Sequence, residues 1–173
     1  SSEVFARIWP HLSASAQRAD KPLSLALLDV DGFQVLREEL GAMAVEGVLE
    51  WLSETLSSEL RRSDVVTRWA RQQFLVAFPG TDGEGASIAA EKALKRVARH
   101  SLPAVADGKL ELTLSAGVAE ADFNRDLDAL LGLATAALDR AKSAGRNRVA
   151  RHGEGQPENG GVHRILVAAD DEI

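Results

Sequence analysis

Apolar and polar positions along the chain follow helical and strand periods in alternation, which predicts an α/β domain. The first pattern is helical, and its apolar face comprises Val4, Phe5, Ile8, Trp9 and Leu12. Pro10 lies inside this pattern, so we expect the opening helix to be kinked or restarted there. Strands are predicted at residues 23–30, 65–69, 74–79, 110–119 and 148–150. Further helices are predicted at residues 33–40, 44–60, 85–100 and 127–144.

For two of these elements, the sequence also predicts burial or the position of the end. Residues 23–30 are almost continuously apolar, which favours a central strand covered on both faces. The last long helix is expected to end at Gly145, since glycine is the usual residue just beyond a helix C-terminus.

Composition limits the function classes. With 173 residues, 45% of them hydrophobic, the chain is long enough for one domain with a sizeable core. The 20 basic residues are outnumbered by 26 acidic ones, which argues against sequence-independent nucleic-acid binding. Cysteine is absent, excluding disulfides and thiolate metal sites, and no apolar run approaches the ~20 residues of a membrane span. We therefore expect a soluble, cytoplasmic domain with no membrane or nucleic-acid partner.

Three segments together resemble a GGDEF domain. Residues 25–33 read Leu-Ala-Leu-Leu-Asp-Val-Asp-Gly-Phe, residues 68–74 read Arg-Trp-Ala-Arg-Gln-Gln-Phe, and residues 142–148 read Lys-Ser-Ala-Gly-Arg-Asn-Arg. The GGDEF family condenses two GTP molecules to cyclic di-GMP. The resemblance implies a nucleotide-cyclase or polymerase-palm-like fold over residues 1–151, with a central, mainly antiparallel sheet and helices on both faces.

The resemblance also locates the metal site and indicates that it is altered. Asp29 and the carbonyl of Val30 match family magnesium ligands, and we expect Asp29 and Gln72 to lie together at the hairpin edge. The turn that is acidic in the family reads Ala70, Arg71, Gln72 and Gln73. An amide oxygen is neutral, so these substitutions remove charge from a site that must hold a divalent ion. We therefore expect a degenerate member of the family that is not an enzyme and has no catalytic residues. We expect no cofactor, and magnesium would bind only if the vestigial site still binds nucleotide.

Two further parts of the family's substrate site can be placed. Arg37 stands where the family has a guanine-reading asparagine, and Glu46 stands at the family's acidic acceptor. Lys142 and Arg146 match the residues that contact phosphate in the family. A structural alternative for this pair is that basic residues in a last helical turn interact favourably with the helix dipole.

A second ligand site is suggested by Arg61 and Asp64. They form an RxxD string five residues ahead of the hairpin motif, where the family places its inhibitory site for cyclic di-GMP. Lys92, on the helix after the hairpin, matches a further basic contact of that site. The alternative is a local ion pair at a helix end.

The C-terminal composition predicts a change of domain. Residues 152–162 are polar and glycine-rich, as in a linker. Residues 163–173 are similar to the first strand of a receiver domain, with Asp170 and Asp171 as the acidic pair at its end. A disordered tail is the alternative.

Three functions are compatible with these observations. The first is a cyclic di-GMP receptor that uses Arg61, Asp64 and Lys92. The second is a nucleotide-free interaction or homodimerisation module, coupled to a receiver domain in the same polypeptide and to a signalling partner in a two-component system. The third is a weak diguanylate cyclase, which the two glutamines of the turn disfavour.

Overall fold

The structure is a computed structural model that describes residues 2–103 and 109–155. The helices are α1 (Ser2–Arg18), α2 (Phe33–Leu40), α3 (Ala42–Glu59), α4 (Gly83–Ala98) and α5 (Leu127–Ser143). The strands are β1 (Leu23–Val30), β2 (Val65–Ala70), β3 (Gln73–Pro79), β4 (Ser101–Pro103), β5 (Lys109–Glu111), β6 (Leu114–Glu120) and β7 (Val149–Arg151).

The main sheet has five strands in the order β2-β3-β1-β6-β7. Every pair in it is antiparallel except β6 and β7, which are parallel. Helices cover both faces, so the predicted fold class, a mainly antiparallel sheet between helical layers, is confirmed.

Strand β1 lies at the centre of the sheet and is buried along its whole length. Because side chains alternate across a strand, Ala26, Leu28 and Val30 face the core formed with α3 and α4. Leu25 and Leu27 face the opposite core, formed with α1 and α5. The near-continuous apolar run in the sequence is therefore explained by two cores that share one strand.

Helix α1 passes through Pro10 as one α-helix, without the predicted restart. Phe5 and Trp9 before the proline and Ala16 after it are all buried in the same core. Phe5 stacks on Trp9 and meets Trp69 of β2 edge to face, with ring centroids 5.9 and 6.0 Å apart respectively. This packing on both sides of Pro10 holds the helix together despite the missing N–H donor.

The strand predicted at residues 110–119 is divided in two. Its first part, β5, pairs with β4 in a separate two-stranded sheet, and its second part, β6, pairs with β1 and β7. The break falls at Leu112 and Thr113, where the Thr113 carbonyl accepts the N–H of Asp31 at 2.9 Å. The chain thus changes sheets within one run of strand-forming residues, which a periodic pattern does not show.

Beyond β7, the structure describes residues 152–155 as a turn beside the domain. His152 donates its backbone N–H to Val118 at 2.8 Å, and Arg140 of α5 donates to the Glu154 carbonyl at 3.3 Å. The rest of the predicted linker and the receiver-like segment with Asp170 and Asp171 lie outside the described residues. Within the described ranges, no helix combines the length and apolarity needed to cross a bilayer.

Helix α5 approaches β6 most closely at Gly117. A Cβ atom at this position would lie 2.0 Å from the Ala134 carbonyl oxygen and 2.3 Å from the Leu138 nitrogen, both backbone atoms. Only a residue without a side chain permits this approach, which seats α5 on the sheet and fixes where its C-terminal end lies.

We predict that Gly117→Ala destabilises the domain by ~3 kcal/mol, near the upper end of the range for overpacking a core. The measurement is urea unfolding followed by circular dichroism. Gly47→Ala is the matched control, since a Cβ there would meet nothing within 4 Å on helix α3. That variant should be stabilised by ~0.5–1 kcal/mol through helix propensity. Equal effects of the two substitutions would contradict the close approach.

Candidate functional site

A cavity of about 360 Å³, here called the Asp29 cavity, opens where β1, the β2–β3 hairpin and the C-terminal end of α5 meet. Its lining comprises Asp29, Val30, Asp31, Gly32, Phe33, Gln34, Arg71, Gln72, Lys142 and Arg146. The cavity thus brings together six of the residues assigned to the metal and nucleotide site from the sequence.

The alternation of β1 explains how Asp29 enters this site. Asp29 shares the face of Leu25 and Leu27, which is the face covered by α5, and it pairs across the sheet with Gln73 of β3. Lys142 lies in the last turn of α5. Strand register and helix position therefore bring a carboxylate, an amide and an ammonium group to one point.

Asp29 is almost fully buried and is held by two donors. Lys142 Nζ lies 3.0 Å from Asp29 Oδ2, and Gln73 Nε2 donates to the same oxygen at 2.9 Å. The predicted neighbour, Gln72, lies at the hairpin edge as expected, where its carbonyl accepts the Val30 N–H at 3.1 Å. The side chain in contact with Asp29 is that of Gln73.

Asp31 accepts hydrogen bonds from the protein on both carboxylate oxygens. Its Oδ1 accepts from Ser115 Oγ at 2.7 Å, and its Oδ2 accepts from Thr113 Oγ1 at 2.7 Å and from the Asn147 N–H at 3.0 Å. These bonds tie the end of β1 to β6 and to the loop after α5. Sequence reasoning did not find Thr113, Ser115 or Asn147 because they are distant in the chain and belong to no motif that was used.

The loop after α5 has an unusual backbone. Gly145, Arg146 and Asn147 have φ values of 122°, 62° and 48°. The helix ends before Gly145, as predicted, but the left-handed conformation is costly for Arg146, whereas an asparagine such as Asn147 tolerates it better. The bond from Asn147 to Asp31 and the bond from the Arg146 N–H to the Ala141 carbonyl, 3.1 Å, offset that cost and set Arg146 at the cavity.

The hairpin turn closes without glycine. Ala70 pairs with Gln73 around Arg71 and Gln72, and neither central residue has a positive φ. The register of β2 shifts between Arg68 and Ala70, and this irregularity supplies the bend that glycines would otherwise permit. Ala70 is exposed and outside the cavity lining, whereas Arg71, also exposed, belongs to the lining.

The two residues assigned to guanine recognition are not brought into the cavity. Arg37 is exposed on α2 and Glu46 lies on α3, and neither belongs to the lining. Glu46 Oε2 instead accepts from Arg68 Nη1 at 3.0 Å.

The Asp29 cavity offers few groups that could hold magnesium. A magnesium site in a protein takes one or two carboxylates, and water and substrate phosphates fill the remaining positions. Here Asp29 Oδ2 accepts from an ammonium group and an amide, and both oxygens of Asp31 accept bonds from the protein. Asp29 Oδ1 is the one carboxylate oxygen of the lining to which no described residue donates. Across the described residues, no group of three or more His, Cys, Asp or Glu side chains is arranged to hold a metal ion.

A second cavity, here called the Arg61 cavity, has a volume of about 310 Å³. It is lined by all three residues of the predicted cyclic di-GMP site, Arg61, Asp64 and Lys92, together with Glu59, Leu60, Phe78, Thr81, Gly85 and Ala89. It lies beyond the Pro79 end of β3, whereas the Asp29 cavity lies at the Gln73 end. Six residue steps along β3 separate the two by about 20 Å.

Within the Arg61 cavity, Asp64 is the buried member and Arg61 the exposed one. Their side chains are 2% and 61% exposed, and Arg61 Nη2 lies 3.6 Å from Asp64 Oδ1. The local ion pair foreseen as an alternative is therefore present, and Asp64 Oδ2 also accepts the Arg61 backbone N–H at 2.9 Å. Asp64 Oδ1 is buried and, in the part of the chain that the structure describes, has no hydrogen-bond partner.

A family model and curated relatives place the chain in the same family. The model of the family described as "Diguanylate cyclase, GGDEF domain" matches residues 4–148. Diguanylate cyclase DgcM of Escherichia coli is 36% identical over 126 residues, which is 73% of this chain and 30% of that protein. Diguanylate cyclase DgcP of Pseudomonas aeruginosa is 33% identical over 137 residues, which is 79% of this chain and 20% of that protein. The chain thus spans less than a third of the length of these relatives.

Solved structures agree on the fold. The GGDEF domain of DgcB from Caulobacter crescentus, determined in complex with c-di-GMP, has a TM-score of 0.81 at 22% identity, covering 87% of this chain and 90% of that one. Diguanylate cyclase SiaD from Pseudomonas aeruginosa, determined in complex with its activator SiaC, has a TM-score of 0.81 at 27% identity, covering 87% of this chain and 57% of that one.

These relatives correct one prediction. We expected from the turn residues that the chain is not an enzyme, and the comparison contradicts this, because relatives at 31–36% identity are named diguanylate cyclases. The argument from Gln72 and Gln73 treated one turn as decisive, whereas similarity to named cyclases extends over at least 73% of the chain.

We predict that Gln73→Glu makes the Asp29 cavity bind Mn²⁺ at least about tenfold more tightly, because a second carboxylate beside Asp29 needs a cation to relieve the repulsion. Titration followed by Mn²⁺ electron paramagnetic resonance measures this. Gln17→Glu is the matched control, since Gln17 is exposed on α1 and outside the cavity lining. Equal Mn²⁺ affinity in the two variants would show that position 73 does not control cation binding.

Proposed function

Since this chain belongs to the GGDEF-domain family of diguanylate cyclases, we propose that it acts in cyclic di-GMP signalling and binds this dinucleotide as a receptor at the Arg61 cavity. The proposal combines a family whose named members make cyclic di-GMP with a cavity whose polar groups suit that ligand.

The observation that carries the proposal is Asp64 Oδ1. This oxygen is buried, and its ion-pair partner Arg61 Nη2, at 3.6 Å, is beyond hydrogen-bond distance. A buried carboxylate oxygen without a hydrogen bond is costly, so it favours a ligand that donates to it. Guanine carries N–H donors on one edge, including its exocyclic amino group. Asp64 Oδ2 remains bonded to the Arg61 backbone, so the carboxylate is held in place for an incoming base.

Arg61 and Lys92 supply the complementary charge. Arg61 is held by Nη2, which donates to the Pro79 carbonyl at 3.5 Å and to Thr81 Oγ1. A guanidinium group has five N–H donors, so those on Nε and Nη1 can meet a phosphate or the acceptor edge of guanine. Lys92 adds a second cation at the rim of the same cavity.

This site does not depend on the hairpin turn. The substitutions at Ala70, Arg71, Gln72 and Gln73 lie at the other end of β3, about 20 Å away. Their chemistry therefore leaves the groups around Asp64 unchanged, and ligand binding can be measured separately from GTP turnover.

We predict that cyclic di-GMP binds the wild-type chain and that Arg61→Ala weakens binding by ~1–3 kcal/mol, the range for a lost charge-assisted hydrogen bond. Isothermal titration calorimetry measures this. Arg62→Ala is the matched control, because Arg62 is the exposed neighbour outside the lining of the Arg61 cavity. Lys142→Ala should also leave the affinity nearly unchanged.

Urea unfolding of each variant controls for the contacts of Arg61 with Pro79 and Thr81. A titration without heat, together with no chemical-shift change at excess cyclic di-GMP, would reject the receptor function. Equal losses in Arg61→Ala and Lys142→Ala would place the ligand in the Asp29 cavity instead.

A further inference from the structure

A further cavity of about 470 Å³, here called the Arg148 cavity, lies between α4 and β7, the edge strand of the main sheet. Its lining combines one face of α4, between Glu91 and Arg99, with Asn147, Arg148 and Val149 of the loop after α5 and of β7. The Arg61 cavity meets α4 on a different face, so the two are separate sites. A volume of this size is in the range of sites for small organic ligands, about 300–1,000 Å³.

The charges of this lining are unequal. Lys95, Arg99 and Arg148 are cationic against the carboxylate of Glu91, and all four residues are exposed. None of the four forms an ion pair with another described residue. Three like charges around one concave surface repel one another, and an anion between them relieves that repulsion. The lining therefore favours an anionic ligand.

Arg148 is held in position by the loop that carries it. Its Nε donates to the Arg146 carbonyl at 3.0 Å. A Cβ atom at Gly145 would lie 2.9 Å from Arg148 Nη2, so the missing side chain leaves room for the guanidinium group. A guanidinium group can offer parallel N–H donors to two oxygens of one acidic group. Because this group is already oriented, less ordering free energy is lost when a ligand binds.

The cavity also has an apolar wall, formed by Leu94, Ala98 and Val149. Leu94 is buried, and Ala98 and Val149 are half-buried. Covering such a wall with apolar atoms of a ligand is favourable, because it removes apolar surface from water. A bare inorganic anion would meet the cations and leave the wall uncovered.

A helix dipole accounts for only part of this arrangement. Lys95 lies in the last turn of α4 and Arg99 is its C-cap residue, where cations interact favourably with the helix C-terminus. Arg148 belongs to another element, so the dipole of α4 does not explain why its guanidinium group lines the same cavity. The convergence of cations from two elements on one apolar wall is the arrangement of a ligand site.

We propose that the Arg148 cavity binds a small organic anion that has an aromatic or alkyl body. Its acidic group contacts Lys95, Arg99 and Arg148, and its body covers the apolar wall. This goes beyond the receptor function, which uses a different cavity and none of these residues.

The test is fluorescence titration of the full 173-residue chain with anilinonaphthalene sulfonate, an aromatic sulfonate whose emission rises in an apolar site. We expect saturable binding at a single site. Phenylnaphthylamine, which has the same aromatic body without the sulfonate, should bind at least about fivefold more weakly, since it lacks the charge contacts. Sodium sulfate should displace the sulfonate probe no better than sodium chloride at equal ionic strength, since it lacks the body.

Two results of these titrations would overturn the proposal. Equal affinity for the two aromatic probes would show that the site does not select an anion. Displacement of the probe by sulfate, beyond the effect of sodium chloride, would show that the apolar wall takes no part in binding.

Variants on α4 connect the result to the cations. Arg99→Gln should weaken binding of the sulfonate probe about fivefold, the range for a partly exposed charge contact. Arg96→Gln is the matched control, because Arg96 lies on the same helix outside the lining and pairs with Glu59. It should leave the affinity unchanged. Equal affinities of Arg99→Gln and Arg96→Gln would contradict the contact with Arg99 and overturn the proposal.

A second pair of variants locates the body of the probe. Ala98→Phe fills the cavity and should remove the saturable binding, whereas Ala136→Phe, on an exposed position of α5, should not. Urea unfolding confirms that each variant is folded before its affinity is compared. Unchanged binding in folded Ala98→Phe would place the probe elsewhere and reject the site.

Arg61→Ala separates this inference from the receptor function. That substitution should leave the affinity for the sulfonate probe unchanged, because Arg61 lines the other cavity. If Arg61→Ala and Arg99→Gln weaken binding of the probe equally, the anion does not select the Arg148 cavity and the proposal fails.

Discussion

The burial of β1 on both faces is the constraint on which the rest of the structure depends. A central strand with two covered faces must alternate its side chains between two cores, and one residue of slip would exchange them. The same alternation places Asp29, near the end of this strand, on the α5 side, where it meets Lys142. Core packing and site chemistry are thus set by one register.

That register also determines how charge is balanced at the site. Gln73 pairs with Asp29 across the sheet, and Gly117 lets α5 lie close enough to β6 to bring Lys142 to the carboxylate. An amide and an ammonium group therefore surround a buried carboxylate. The charge of this buried carboxylate is therefore compensated by groups of the protein itself.

Family membership rests on most of the chain, whereas site chemistry rests on a few side chains. The match over residues 4–148 spans the main sheet, the helices around it and both cavities. The chemistry of each cavity depends on a few side chains placed by that scaffold. The two cavities at opposite ends of β3 accordingly carry different side chains: Arg61, Asp64 and Lys92 line one, and Asp29, Arg71, Lys142 and Arg146 line the other.

The sequence by itself determined the fold class, the motifs and most of the elements. Residues 23–30 form β1 as predicted, because a continuous apolar run between polar turns leaves a buried strand as the consistent solution. Tertiary structure alone decided that residues 110–119 divide between two sheets. It also decided the contacts at the end of β1. Gln73 donates to Asp29, and Asp31 accepts hydrogen bonds from Thr113, Ser115 and Asn147. Periodicity reports local preference, whereas these contacts join residues 44 to 116 positions apart and follow from strand register and helix packing.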